Sequence, residues 1–549
     1  MKKILSIIIL VLVVATSCNQ DDLKILNPND PGLGSLNSED GIKAFAAGMM
    51  EKAFGWHNNF EAGTAPFMIA LGHHSVMGDD MYVPWGNWGW RWSAIYNHIT
   101  INATGTSYQH TLYPGVSQQD FIQANNSRAA GEVNPFKYEW IAAYWMIQQA
   151  NQLLVSLDGS VAFSGNADTK KNTLRAWAYW WKGYMYSRVG SMYLAGLKVS
   201  ALGTTNPEYV TRQEIMDEAT ANFDAADNLL QALNQDADYE NIWNSIIPDF
   251  NNKSDIVSPD MWIRAINTYK ARNILVNTKV ADMNDTQWNE IITLANTGLQ
   301  SGDNIFTLGW TSDGNNDLSG AFYTPFYWNN TANGWWFVSE RLIQEFKPGD
   351  QRLADNFDYL SDPADWEVNK RNRGWTFGTR YLYKDIEDGG KFASAVGGGQ
   401  WPISPSYEEN QLMLAEAKLR KATPDLTGLT HVDAVRSYQG ANLAAVNGTG
   451  LTQAQAIEEL RRERRVALAL RGMSFYDARR WGVTASQGAG GGRSNAMVLV
   501  PANVYDPDFN LVPATYPCFI EYNFLDYWDL PADELDFNIP SATSAPVKN

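Results

Sequence analysis

The 549-residue sequence predicts a mainly α fold in which tetratricopeptide-like helical hairpins form a scaffold and long irregular insertions ride on it. Three observations lead there. Apolar side chains recur at i, i+3, i+4 and i+7 in one segment after another, the mark of amphipathic helices. Small residues, such as Ala221 with Ala225 and Ala415 with Ala417, sit where paired helices would touch. Between these segments lie stretches 57–134, 234–259, 302–406 and 486–549, far longer than the ~12–15 residues of an idle connection. Loops of that size on a rigid frame usually carry function.

The first residues read as a lipoprotein signal peptide, 1–17. Lys2 and Lys3 precede an almost unbroken apolar run from Ile4 to Ala15, and the small residues Ala15, Thr16 and Ser17 lead into Cys18. The run is short of the roughly 20 residues a spanning helix needs, so it reads as a cleaved segment. Cys18 is then the lipidation site, and acyl chains on it would tether the mature protein to a membrane without crossing it. Ala15 stands where such signals usually carry Leu, and the competing reading is an ordinary secretory signal with a chance cysteine. Residues 18–37, rich in Asn, Asp, Pro and Gly, read as the lipidated cysteine and a flexible tether. The rest, 38–549, is expected to be one domain, with a helical-repeat part over about 38–300 and a C-terminal part over about 301–549.

Within that domain Ser38 with Asp40 opens a helix through Ala53, with Ile42, Phe45, Ala46 and Met49 on one stripe. A helix pair follows, carrying Trp140, Tyr144, Ile147 and Leu154 in its first member and Trp177, Trp180, Trp181 and Tyr184 in its second. Such aromatic stripes are expected to be core. Further helices are expected over Arg212–Leu233, Asp260–Thr278, Asp285–Leu299, Tyr407–Lys421 and Thr452–Trp481.

Composition narrows the function. With 45% apolar residues the chain can bury a large core. Its net charge of −18, or −20 once Lys2 and Lys3 leave with the signal, argues against nucleic acid as a partner. Cys518 is the only cysteine besides Cys18, so no intrachain disulfide is expected once Cys18 carries lipid. The six histidines are scattered apart from His73 and His74, whose side chains would diverge by about 100° on a helix. That pair is expected to be structural, and neither metal nor cofactor is expected. The 22 tryptophans imply that some indole faces do more than fill a core.

Several motifs resemble one family. Leu460 to Gly482, LRRERRVALALRGMSFYDARRWG, carries Glu463, Arg464, Leu468, Gly472, Phe475, Asp477, Arg480, Trp481 and Gly482 at matching positions. Tyr407 to Leu419, Val435-Arg436, Leu174 to Gly190, and Leu530, Pro531, Glu534, Leu535 and Asn538 add matches spread along the chain. By these residues the chain resembles the SusD/RagB family, starch-utilisation-system D-like nutrient-binding outer-membrane lipoproteins of Bacteroidetes. Ala467 and Arg471 stand where that family usually has Glu, and Ser474 where it usually has Arg, which reads as a rewired structural salt network. The resemblance implies a single mostly helical body with its insertions packed as a ligand face. It also implies a SusC-like TonB-dependent outer-membrane transporter as partner. Asp21 and Asp22 after Cys18 resemble the surface-export signal of such lipoproteins, which implies an anchor in the outer membrane facing the exterior.

The segment Gly78 to His98 resembles the family stretch that contributes to a glycan site, with Asp80, Val83, Pro84, Trp88, Arg91, Trp92 and His98 in matching places. Sugar rings present apolar C–H faces to indoles while their hydroxyls need fixed polar partners, so Asp80, Trp85, Asn87 and Trp88 are the candidate ligand-binding residues. The competing reading is that these tryptophans fold inward as a small core of the loop, and Trp92 is expected to do so. A second candidate face lies in the middle insertion, where Trp310 and Trp328 are the preferred pair.

The function expected is capture of an oligo- or polysaccharide and its delivery to the transporter, without catalysis. One alternative is a peptide or other nutrient as ligand. The remote one is a glycoside hydrolase, which needs two carboxylates; pairs such as Asp79 and Asp80 abound, but no motif selects one. The sequence has no Gly-x-Ser-x-Gly elbow, and its glycine runs lack the Lys and Ser or Thr of a phosphate loop.

Overall fold

The structure is a computed structural model that describes residues 36–54, 66–110, 115–200, 202–203, 205–247, 255–303, 305, 307–309, 337–368, 378–383, 400–402, 404–500 and 514–549. Cys18, Trp310 and Trp328 lie outside the described residues.

Helices dominate, as the spacing predicts. The main ones are α1 Glu39–Phe54, α2 Pro66–Met77, α3 Lys137–Leu157, α4 Ala167–Met192, α5 Arg212–Leu230 and α6 Ala237–Ile246, then α7 Pro259–Val276, α8 Asp285–Asn296, α9 Tyr407–Arg420, α10 Leu429–Tyr438, α11 Gln453–Ala467 and α12 Ser474–Arg480. Consecutive helices pack on one another: α3 on α4, α4 on α5, α7 on α8, α8 on α9, and α9 on α10 and α11. Polar side chains fix where several of them start. Thr211 with Glu214, Asn284 with Gln287, and Thr452 with Gln455 form capping boxes that satisfy first-turn N–H groups. The tryptophan stripe is core: Trp177, Trp180, Trp181, Trp243 and Trp262 are all buried. Trp177 meets Trp181 edge-on at 5.4 Å and Trp262 at 6.2 Å.

The stretches expected to be irregular hold more order than the sequence implied. Helix α6 lies in 234–259, where Tyr239, Ile242, Trp243 and Ile246 do keep helical spacing and are all buried. Helix α2 lies in 57–134 and is buried on every side, so it has no polar face to reveal its period. The C-terminal stretch forms strands Arg493–Val500 and Ala514–Glu521, which pair antiparallel at the centre of a six-stranded sheet. Strand His98–Ile101 pairs with Ala514–Glu521 through Cys518↔Ile101 and Ile520↔Ile99 and carries the edge strand Ser107–Tyr108 on its other side. The single helix expected over Thr452–Trp481 is broken into α11 and α12, with Leu470 at φ 61° and Gly472 at φ 71° in the turn between them.

Helices α9, α11 and α12 are joined by buried ion pairs. Glu416 accepts from Arg480 Nη1 at 2.8 Å, from Arg420 Nε at 2.8 Å and from the Trp481 indole N–H at 3.3 Å. Asp477 accepts from Arg464 Nε at 2.9 Å and Arg480 Nε at 2.7 Å. Glu463 accepts from Arg352 at 2.6 Å and Arg436 at 2.8 Å. Burial alone would raise the Glu416 carboxyl, and the guanidiniums of Arg480, Arg420 and Arg464 overcome it and hold the group below the usual range. Of the three departures, only Arg471 adds a charge to this lattice. Arg471 donates to Glu408 at 3.0 Å, the Ala467 carbonyl accepts from Gln439 at 3.1 Å, and Ser474 lies against the backbone of Gly78.

Removing one member strands the others, because a buried unpaired charge is costlier than the pair is stabilising. We expect Glu416→Ala to destabilise the fold by about 3–5 kcal/mol, read from denaturant unfolding. An unchanged unfolding midpoint would contradict the lattice.

Candidate binding loop and its anchors

Helix α2 runs into Gly78, Asp79 and Asp80, and these residues fasten the loop that follows. Gly78 is required there, since a Cβ would overlap the Ser474 side chain and come within 2.6 Å of the Phe475 nitrogen. Asp79 has φ 63°, unusual for a residue with a side chain. Its carboxylate accepts from Arg341 Nε at 2.8 Å and Nη2 at 2.7 Å, from Ser339 Oγ at 2.9 Å and from the Tyr522 hydroxyl at 2.9 Å. Burial opposes its ionisation and Arg341 outweighs that, so Asp79 stays a carboxylate. Asp80 accepts from Arg465 Nη1 at 3.1 Å and from the Leu470 N–H at 3.1 Å. Arg465 also donates to the carbonyls of Gly78 at 2.6 Å and Asp79 at 3.0 Å, placing a cation on the C-terminal end of α2.

From this base Met81 and Tyr82 pair antiparallel with Val338 and Phe337, and Pro84 and Trp85 lead into a turn over Asn87–Gly89. Trp88 has φ 53°. Gly89 has φ 80°, and a Cβ on it would lie 2.6 Å from the Val133 carbonyl oxygen. A helical turn, Trp90–Ser93, follows. Two groups on α2 hold it down. The Trp90 indole donates to the Ile69 carbonyl at 2.9 Å, and His73 Nε2 donates to the Trp88 carbonyl at 3.1 Å while its Nδ1 accepts from Ser93 Oγ at 2.8 Å.

The sequence-predicted site residues separate here. Asp80 is 0% exposed with its carboxylate committed to protein partners, so it anchors the loop and is not presented to a ligand. Trp85 and Trp88 come together in the loop, yet they are 6% and 7% exposed, so both are buried where a ligand platform would need open ring faces. The loop folds them in because Trp88 packs edge-on against Trp90 with centroids 4.7 Å apart. Asn87 and Gly86 are partly exposed. Trp92, expected to turn inward, is only partly buried, its ring meeting Phe121 at 4.7 Å. His73 and His74 are structural and diverge, His73 toward the loop and His74 toward Glu139 at 3.0 Å. The anchors Asp79, Arg341, Arg465 and His73 were not read as functional from sequence. Only the Asp-Asp pair and the arginine-rich run of α11 hinted at them.

Burial, and next the neighbouring His74, push His73 down to about 3. Its surroundings are the Tyr138 and Trp528 rings, Ser93 and the Trp88 carbonyl, with Glu139 the one nearby carboxylate acting on it. Unfolded, the imidazole titrates near 6.5. Between those values the unfolded chain holds a proton that the folded chain refuses, so the stabilisation is complete above 6.5 and is lost as pH falls toward 3. His110 and His431, both pushed down to about 4 chiefly by burial, act with the same sign. We expect the denaturant midpoint to fall from about pH 7 to about pH 4 and the fall to be shallower in His73→Gln. Equal slopes for the two proteins would contradict this role of His73.

The comparisons with known proteins agree with this fold. Residues 365–538 match the model of the SusD family. No curated protein matches the chain. A SusD-like carbohydrate-binding protein of Bacteroides fragilis, 15% identical, superposes with a TM-score of 0.57 over 91% of this chain and 98% of its own. A second SusD-like protein of Bacteroides fragilis, 13% identical, gives 0.54 over 93% and 97%. A structure solved with a xylogluco-oligosaccharide, 13% identical, gives 0.53 over 92% and 99%. The C-terminal part of the chain thus matches the SusD family model, and the fold is that of SusD-like proteins along nearly its whole length.

Proposed function

We propose that the protein is a lipoprotein that captures an oligo- or polysaccharide at the cell surface and passes it to a SusC-like TonB-dependent outer-membrane transporter. The observation that carries the reading is the tryptophan-rich loop. Trp85, Asn87 and Trp88 lie at the outer end of a segment whose base is fastened by buried ion pairs, so little order has to be gained on binding. The partly exposed Asn87 amide serves sugar hydroxyls, and the little indole surface that Trp85 and Trp88 leave open meets the C–H face of a ring. Asp80 belongs to the frame beneath them. Trp310 and Trp328 remain the proposed second aromatic face. Two structurally similar proteins support the ligand class, one described as carbohydrate-binding and one solved with a xylogluco-oligosaccharide. Among the described residues no helix is long and apolar enough to cross a membrane, which is compatible with an anchor through Cys18 and a tether over 18–37. In this reading 38–549 is one non-catalytic binding domain.

Affinity electrophoresis through polysaccharide gels tests it. The mature protein should be retarded by at least one glycan without releasing reducing sugar. Trp88→Ala should weaken that retention by about 2 kcal/mol or more, the scale of a central aromatic contact, while leaving the helical circular dichroism intact. Released sugar would overturn the non-catalytic reading, and binding of peptides alone would overturn the glycan.

A further inference from the structure

Beside the loop's base a separate cleft of about 280 Å³ opens between α11, the strand Arg493–Val500 and the segment after α12. Its size is at the low end for small-molecule sites. Trp481 supplies one wall. Its indole N–H is spent on Glu416 at 3.3 Å, and the Arg480 guanidinium lies 4.8 Å from its ring centre, so what it offers the cleft is apolar surface. Arg461 is saturated, donating to Glu345 at 2.8 Å and to Glu458 at 2.7 Å.

Arg493 differs. Its Nη2 donates to the Gly78 carbonyl at 3.3 Å, but its buried Nε has no hydrogen-bond partner and lies 3.7 Å from Asp79. Asp79 cannot serve it, because Arg341, Ser339 and Tyr522 already occupy that carboxylate. Positive charge is crowded there. Burial, and next the Arg493 guanidinium, hold the neighbouring Arg465 below its usual range. In a chain of net charge −18 the cleft is lined by three guanidiniums and two carboxylates, a local surplus of cation.

We propose that this cleft binds one carboxylate-bearing sugar ring, a hexuronate, with its carboxylate on Arg493, a C–H face on Trp481, and its hydroxyls on Glu458 and the exposed Ser494. The Arg493 guanidinium lines the cleft while the neighbouring Asp79 carboxylate is taken by other donors, so a charged acceptor is what it gains most from, and an indole wall prefers a ring to a bare ion. The choice of a sugar over another ring carboxylate rests on the glycan reading above.

Calorimetric titration of the mature protein with glucuronate and galacturonate, against glucose and acetate, tests the cleft apart from polysaccharide retention. At least one uronate should bind, with glucose and acetate each about tenfold weaker or worse, the scale of a lost charge-assisted hydrogen bond. Arg493→Gln should cost about tenfold. Ser494→Asp, on an exposed position where folding is not at stake, should weaken uronate binding similarly by repelling the carboxylate. Absence of uronate binding in a protein still retarded by polysaccharide would overturn this site while sparing the glycan reading. Equal binding of acetate would overturn the ring, and unchanged binding in both variants would overturn the location.

Discussion

Asp79 and Asp80 are adjacent in sequence and engage different arginines, and that arrangement decides where the loop after α2 can go. Asp79 meets Arg341 from within the middle stretch 302–406, and Asp80 meets Arg465 from α11. The two pairings join residues 262 and 385 positions apart in the chain. A carboxylate this deep is tolerated only if its charge is matched and its lone pairs are filled. The four donors on Asp79 meet that condition, whereas at Asp80 burial outweighs Arg465 and the Leu470 N–H and holds the carboxyl above its usual range. Asp79 and Leu470 lie in the left-handed backbone region and Trp88 follows in the loop, so the local strain sits where the anchors can hold it.

The same logic organises the C-terminal half. Helices α9, α11 and α12 meet through guanidinium and carboxylate groups set among buried apolar side chains, with Glu416, Asp477 and Glu463 each shared between arginines. Sharing makes the arrangement directional: a helix shifted by one turn would leave several buried charges unmatched. The N-terminal half relies instead on interlocked indoles, from Trp177 to Trp262. The tryptophan-rich loop lies where the two halves meet, with His73 and Trp90 tying it to α2 and the aspartates tying α2 to α11 and Arg341.

Sequence periodicity revealed the helices that have a wet side. It found α1, α5 and α7 because their apolar positions stand out against polar ones. It could not show α2, buried all round, and the strand Ala514–Glu521 is masked by Pro517 in its middle. The break before α12 depends on Leu470 in a left-handed conformation, to which its sequence gives no clue. At the site, residue type pointed to the right segment, because tryptophans, glycines and an Asp-Asp pair crowd together there. Which carboxylate faces inward is a different matter. It depends on Arg341, Arg465 and Arg493 arriving from distant parts of the chain, and spacing within the loop carries no trace of them.

The central claim is that these ion pairs make the loop part of the rigid frame. Amide hydrogen exchange read peptide by peptide tests it most directly, since local openings exchange independently of global unfolding. The account predicts that amides across 81–93 exchange only as slowly as those of α2, and that Arg341→Met releases the loop while α3 and α4 keep their protection. Fast exchange of the loop in the unaltered protein, with α2 still protected, would contradict it.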